Sequence, residues 1–215
     1  MNKKVIYLLG VGHATPLFIE LAEACGYSVA GLYHYNEERN GEMDHGHRIL
    51  GSFAQLFNSE VKNISFCMTM GDMNIKQTVS QIITDKGGVI PSLIHPTAVI
   101  SRFADISNNG VLICSHCEVH NDAVIDEGCV LWPQVIIGHD TTLHEYVFLG
   151  PKAYVGAYTE VHKHAFIGQC SVLISGKVKE VGSDCLIGAG AVVTGPVPEK
   201  SVMAGNPARI LKYKE

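Results

Sequence analysis

Aliphatic residues recur at every sixth position through most of the second half of the chain. Val119, Ile125, Leu131, Ile137, Leu143, Leu149, Val155, Val161, Ile167 and Leu173 form an unbroken series. Two places before most of them stands a small residue: Cys117, Ala123, Cys129, Thr141, Ala153, Thr159, Ala165 and Ser171, with Val135 and Val147 as larger exceptions. Glycine follows the aliphatic residue at Gly138, Gly150, Gly156 and Gly168. A period of six is neither helical nor simply alternating, and it is a repeat signature of a parallel β-helix. Each aliphatic side chain points into a narrow prism, the small residue fits near a corner, and three hexads complete one triangular coil. The series reaches back through Ile94, Ile100 and Ile106, slips by one residue at Asn108-Asn109-Gly110, and recovers at Ile113. After Leu173 the step is eight residues before Val181, Ile187 and Val193, so extra residues are predicted to bulge at a corner. The tail from Pro196 is expected to leave the prism and fold back along it.

The first ninety residues follow a different pattern. Val5 to Leu9 reads as a buried strand ending at Gly10-Val11-Gly12-His13, and Leu17 to Cys25 places apolar residues on one helical face. Backbone amides at such a turn and helix N-terminus attract a phosphate. The third glycine of a dinucleotide fingerprint is replaced by Thr15, so a plain tight turn fits equally well. Val29 to Tyr33 is a second strand, His34 to His47 an exposed polar loop, and Arg48-Ile49-Leu50-Gly51 a turn before a short helix capped by Ser52. Ile64 to Met68 is a third buried run, and a helix is predicted from about Ile75 to Asp85. Alternating strands and helices imply a small parallel sheet binding ligands at the carboxyl ends of its strands. Gly10 to His13, Tyr33-His34 and Gly71-Asp72 all lie at such ends. The expected organisation is a Rossmann-like α/β domain over 1–90 and a parallel β-helix with a C-terminal tail over 91–215.

A net charge of -5 without Lys/Arg runs argues against a nucleic-acid partner. The N-terminal apolar run is far shorter than the roughly 20 residues of a membrane span, so no membrane association is expected. Seven cysteines, several at the small hexad positions, suit packing thiols in a reduced, cytoplasmic protein. Cys114 and Cys117 form a lone C-x-x-C near His116 and His120, but no second pair completes four ligands, so no metal is expected.

The candidate chemistry lies at His139-Asp140. A carboxylate that accepts a hydrogen bond from one ring nitrogen fixes the tautomer and makes the other nitrogen a better base. Neighbours in sequence need not meet in space, however. His144 and His162 fall at equivalent places on one face of successive coils, where solvated surface is the ordinary reading.

Gly10-Val11-Gly12-His13, Leu50-Gly51, Met70-Gly71-Asp72-Met73-Asn74, Ile94-His95-Pro96-Thr97-Ala98, Ile137-Gly138-His139-Asp140 and Ala204-Gly205-Asn206-Pro207-Ala208 together resemble a family of bacterial sugar acetyltransferases. It is the family of sialic acid O-acetyltransferase and of the N-acetyltransferases acting on nucleotide-linked 4-amino-6-deoxy sugars, such as bacillosamine and perosamine precursors. The resemblance implies a left-handed β-helix, a homotrimer, and acetyl-CoA held between neighbouring coils. It also implies a sugar nucleotide on the N-terminal domain, where Val11, Gly12, His13, Tyr33, His34 and Gly71 are the matching candidates. His139 would then deprotonate the sugar amine or hydroxyl as it attacks the thioester, with Asp140 assisting and no metal involved. Phe148, Gln169 and Ala189 align with positions that contact acetyl-CoA.

Two departures from the family stand out. Phe148 occupies a place where relatives often carry histidine, and Tyr33-His34-Tyr35-Asn36 lacks the acidic residues usual against a nucleotide base. Trp132 also replaces a small polar residue and could line the acceptor pocket. Transfer to a sugar amine is the leading reading and O-acetylation of sialic acid or another sugar is the close rival. A zinc carbonic anhydrase built on hexapeptide coils would use histidines such as His139 and His144, yet Ser101-Arg102-Phe103-Ala104 supplies no third one. A non-catalytic trimeric scaffold is the remaining alternative.

Overall fold

The computed structural model describes residues 4–215, and the chain divides into two compact units, Met1–Leu93 and Ile94–Glu215. The first holds strands β1 (Lys4–Leu9), β2 (Tyr27–His34), β3 (Met43–Asp44), β4 (His47–Ser52) and β5 (Phe66–Met68). Their order in the sheet is β3-β4-β2-β1-β5. The last four are parallel, and β3 runs antiparallel to β4. Helix α1 (Thr15–Ala24) links β1 to β2, α2 (Phe53–Phe57) links β4 to β5, and α3 (Met73–Asp85) follows β5. Ile6, Leu8, Leu9, Leu32 and Ile49 are buried in this unit.

Near the end of the polar segment the structure departs from the sequence reading. Arg48 to Gly51 lies inside β4 and is not a turn. Gly51 is there for packing, because a Cβ on it would come within 2.6 Å of Gln55 Oε1. The same glutamine completes a capping box: Ser52 Oγ accepts the Gln55 amide at 3.2 Å and Gln55 Oε1 accepts the Ser52 amide at 3.0 Å. The polar segment before β4 ends in the β3–β4 hairpin, where Arg39 donates to Glu42 at 2.7 Å and Asp44 at 3.1 Å. Burial alone would raise the Asp44 carboxyl. Hydrogen bonds from His45 and Arg39 outweigh it and hold the group below its ordinary value.

The second unit is a parallel coil of two-residue strands that ends at Val192–Val193 (β22) and whose first strand, Leu93–Ile94 (β6), straddles the boundary between the units. Successive strands belong in rotation to three stacked sheets. The first face includes Glu118–Val119, Ile136–Ile137, Tyr154–Val155 and Val172–Leu173; the second, Val124–Ile125, Thr142–Leu143, Glu160–Val161 and Glu180–Val181. The third includes Leu112–Ile113, Val130–Leu131, Phe148–Leu149, Phe166–Ile167 and Leu186–Ile187. The aliphatic residues from Val119 to Leu173 are at most 2 % exposed, and the small residues two places before them are equally enclosed. Burying each large aliphatic side chain is worth about 1.5–3 kcal/mol. Small polar residues in the interior are satisfied by main chain: Thr141 Oγ1 donates to Gly156 O at 2.9 Å and Thr159 Oγ1 to Val178 O at 2.8 Å.

The corners carry a second period of six. Every sixth residue from Gly110 to Gly176 has positive φ, including His116, Asp122, Gln134, Asp140, Tyr146, Lys152, Tyr158, His164 and Cys170. Left-handed backbone costs a side-chain-bearing residue about 1 kcal/mol. Hydrogen bonding between coils holds it: Asp140 N donates to Asn121 O at 3.1 Å, Lys152 N to Pro133 O at 3.0 Å and Tyr158 N to His139 O at 3.1 Å. The glycine after the inward aliphatic has its own cause. A Cβ on Gly138 would stand 2.5 Å from Ala157 N, and one on Gly168 2.6 Å from Ile187 O.

The eight-residue step is taken up at one corner, where the amides of Lys177 and Val178 both donate to Ile174 O at 3.1 Å. Val178 fills the interior there and Lys179 is exposed. The tail does not run back along the prism. Ser201–Gly205 (β23) joins the third face parallel to Leu186–Ile187, and Ala208–Tyr213 (β24) turns back antiparallel beside it. The turn between them contains a cis Asn206–Pro207 bond.

Candidate active site

His139 and Asp140 form the corner between the first and second faces, and here the sequence neighbours do meet. The left-handed conformation of Asp140, φ 54°, curls its carboxylate back to the imidazole, and His139 Nδ1 lies 2.7 Å from Asp140 Oδ2. With Nδ1 carrying the proton toward the carboxylate, Nε2 holds the lone pair. Both side chains are partly open to solvent. The backbone is fixed on both sides, since Gly138 N donates to Val155 O at 2.8 Å and His139 O accepts the Tyr158 amide. Tyr158 is one coil further along the same corner, and its ring meets His139 edge-on with centroids 4.9 Å apart. The sequence reading passed over Tyr158, although adding the eighteen-residue coil to Asp140 points to it.

Phe148, Gln169 and Ala189 line one cavity of about 310 Å³ on the third face and its corner with the first. Trp132, Pro151 and Phe166 complete its walls. Phe148 stacks on Phe166 with centroids 4.7 Å apart and planes 10° from parallel, and Trp132 is tilted against it at 6.0 Å. The outward residues Leu112, Val130, Phe148, Phe166 and Leu186 are in register, so this face is an apolar panel. Phe148 therefore continues an aromatic column, which explains an apolar ring where a histidine was the alternative. The width of the first face, Gln134 to His139, separates this cavity's corner from the histidine. That is at most about 17 Å of extended chain.

In the first unit, Val11, Gly12 and Gly71 line a cavity of about 330 Å³ with Gly10, Tyr35, Phe53, Thr69 and Asp72. Tyr33 and His34 are not among its lining residues. Tyr33 packs with the core beside Tyr7, 6.2 Å between ring centroids. His34 is buried, with Nδ1 2.8 Å from Asn36 Oδ1. The exposed aromatic wall is Tyr35, one residue past the end of β2, and His13 is exposed outside the lining. Thr15, standing where a third glycine was absent, closes the turn: its Oγ1 accepts the Gly12 amide at 2.8 Å. At the start of α3, Asp72 Oδ1 accepts the amides of Asn74 at 2.9 Å and Ile75 at 3.1 Å. A carboxylate already occupies that helix end, which suits ribose or base donors; α1 has no side-chain cap at its N-terminus and is the better place for a phosphate.

All cysteines are free thiols. Cys114 and Cys117 are buried, and Cys117 Sγ donates to Trp132 O at 3.1 Å. They lie outside the single grouping of potential metal ligands among the described residues, which is His144, Glu160 and His162. His139 is not part of it.

No family model matches the chain. Solved structures do. The acetyltransferase domain of PglB from Neisseria gonorrhoeae superposes with a TM-score of 0.87 at 25% identity, covering 97% of this chain and 100% of that one. The chain has an acetyltransferase fold. A variant of perosamine N-acetyltransferase from Caulobacter crescentus, solved with CoA and GDP-perosamine, gives 0.85 at 24% identity over 96% of each chain. WeeI from Acinetobacter baumannii gives 0.83 at 20% identity, over 97% and 100%. The shared architecture covers both units, and no helix among the described residues is long and apolar enough to cross a membrane.

Proposed function

We propose that this protein transfers an acetyl group from acetyl-CoA to the amine of a nucleotide-linked 4-amino-6-deoxy sugar. The observation that carries the reading is the 2.7 Å contact between His139 Nδ1 and Asp140 Oδ2 on a corner whose backbone is locked. His139 Nε2 accepts a proton from the sugar nitrogen as that nitrogen bonds to the thioester carbonyl carbon. The carbon–sulfur bond breaks as the tetrahedral intermediate collapses, and the imidazolium returns the proton to the departing thiolate. Asp140 stabilises the imidazolium and holds the ring in position.

In this reading the coil is left-handed, the N-terminal unit is Rossmann-like, and the cavity bounded by Phe148, Gln169 and Ala189 takes part of acetyl-CoA. The cavity lined by Gly12, Tyr35 and Gly71 takes the sugar nucleotide, with Tyr35 available to stack on the base. Within one chain the first face lies between His139 and the apolar cavity, whereas reacting atoms must approach to about 3–3.5 Å. A homotrimer resolves this by setting the His139 corner of one copy beside the cavity of the next. Free buried thiols favour a cytoplasmic setting.

The deciding assay measures CoA release from acetyl-CoA with UDP-, dTDP- and GDP-linked 4-amino sugars and with sialic acids. Turnover of one of the amino sugars supports the proposal, and turnover of sialic acid alone replaces it with O-acetylation.

A further inference from the structure

The second face of the coil carries a group of side chains to which the acetyl transfer proposed above gives no role. Its outward strand residues Thr142, Glu160 and Glu180 are in register, and the inward residues Leu143, Val161 and Val181 align beside them. The next position outward is Asp126, His144 and His162 on successive coils. Neighbouring strands lie about 4.8 Å apart, and the two imidazoles follow that spacing, 5.1 Å between centroids and 2° from parallel. His144 Nε2 is 2.9 Å from Glu160 Oε1 and His162 Nε2 is 3.2 Å from Glu180 Oε1. On its other edge, His144 Nδ1 faces Asp126 Oδ2 at 3.3 Å.

We propose that His144, Glu160 and His162 bind a divalent transition-metal ion of the zinc class, with Glu180 as fourth ligand and Asp126 orienting His144. Potential ligand atoms of the first three residues lie within 4.8 Å of one another. Two imidazole nitrogens with two carboxylate oxygens suit a tetrahedral zinc-class ion better than calcium or magnesium, which take mostly oxygen. Metal–nitrogen bonds of about 2.0–2.1 Å require the two Nε2 atoms to close by side-chain rotation. Both histidines are about a third exposed and have room to rotate.

Asp126 stands on the opposite edge of His144 from Glu160. With Asp126 Oδ2 3.3 Å from His144 Nδ1, a proton on Nδ1 has a carboxylate to face once an ion takes the place of the proton that Nε2 now shares with Glu160, and such a partner is what orients a metal-binding histidine. Beside the cluster a cavity of about 360 Å³, lined by His162, Glu180, Ser183, Pro196 and Glu199, leaves space for a water or a small ligand at the ion. The ion would tie together three consecutive coils through residues far apart in sequence.

The test uses the full chain carrying Cys170→Ser, which removes the exposed thiol as a competing ligand. The protein is stripped with a chelator and titrated with Zn²⁺ against a chromogenic indicator, and its melting is followed with and without Zn²⁺. One equivalent per chain and a raised Tm are expected. The double substitution His144→Ala/His162→Ala should abolish both effects, and Asp126→Asn should weaken binding about 10–100-fold. Glu160→Gln keeps the side-chain shape and should remove the visible bands of a tetrahedral Co²⁺ complex, which guards against a merely misfolded alanine variant. His139→Ala should bind zinc as the parent does. Equal zinc binding by parent and double variant, absence of binding in the parent, or loss of binding in His139→Ala would each overturn the proposal.

Discussion

His139–Asp140 and His144–Glu160 each set a histidine against a carboxylate on the outside of the coil, yet they are assembled by different rules. At the corner the partners are adjacent in sequence, and the left-handed backbone of Asp140 brings them together. On the face the partners are sixteen residues apart, and coil register brings them together. A corner therefore produces one fixed acid–base pair, with its backbone held by hydrogen bonds to neighbouring coils. A face produces a ladder, because whatever stands at one rung has a counterpart one coil later. In this protein the proposed proton acceptor uses the first arrangement and the proposed ion site the second.

The sharpest way to break this distinction is His139→Ala. It should lower kcat about 10²–10⁴-fold with little change in Tm, whereas His144→Ala should leave kcat near that of the parent. Comparable losses in both would erase the difference between corner and face. Asp140→Asn should cost a smaller part of kcat than His139→Ala, because the base remains and only its orientation and the charge opposite it change; steady-state kinetics on the three proteins ranks them. Gly138→Ala tests whether the corner must be rigid. The new methyl group meets Ala157 N, so a destabilisation of about 1–3 kcal/mol in urea unfolding is expected, together with a loss of kcat from displaced His139.

Phe148→Ala probes the third face, where no acid–base role is assigned. Loss of the ring from the cavity wall should raise KM for acetyl-CoA roughly fivefold, equivalent to about 1 kcal/mol of contact with the ligand, with kcat less affected. The smallest effect should come from thiol labelling of the native protein. Burial pushes the Cys185 thiol up to about 12 and Cys117 up to about 11. Iodoacetamide should modify Cys170 first and leave both of these unlabelled until the coil is unfolded, as peptide mass mapping would read.

The coil was legible in the sequence because its geometry imposes one demand at every sixth position, and the interior from Val119 to Leu173 obeys it. The corners were less legible. Tyr146, Lys152, Tyr158 and Cys170 all adopt a backbone that their residue types do not advertise, so the hydrogen-bonded stack rather than local preference sets it. Strand β4 is hidden for a related reason: Gly51 looks like a turn residue, and what crowds it is the side chain of Gln55, four residues on in the next helix. In the N-terminal cavity the strand-end rule located the loops at Gly12 and Gly71. It could not show that β2 sends Tyr33 toward the core while Tyr35, past its end, faces the cavity. His139 was readable from its neighbour, whereas Tyr158, Glu160 and Glu180 become partners only when the chain is counted in whole coils.

That counting has a consequence for how such a chain can change length. Removing six residues between Asp140 and Gln169 would advance every later position by one third of a rotation. The aromatic column would then be transferred to another side of the prism and the ladder broken. Removing eighteen would shorten the rod but leave each later residue on its original side. Insertions and deletions in this protein are thus graded by remainder rather than by size: a large loss that is a whole coil preserves the arrangement of its surfaces, and a small one that is not scrambles them.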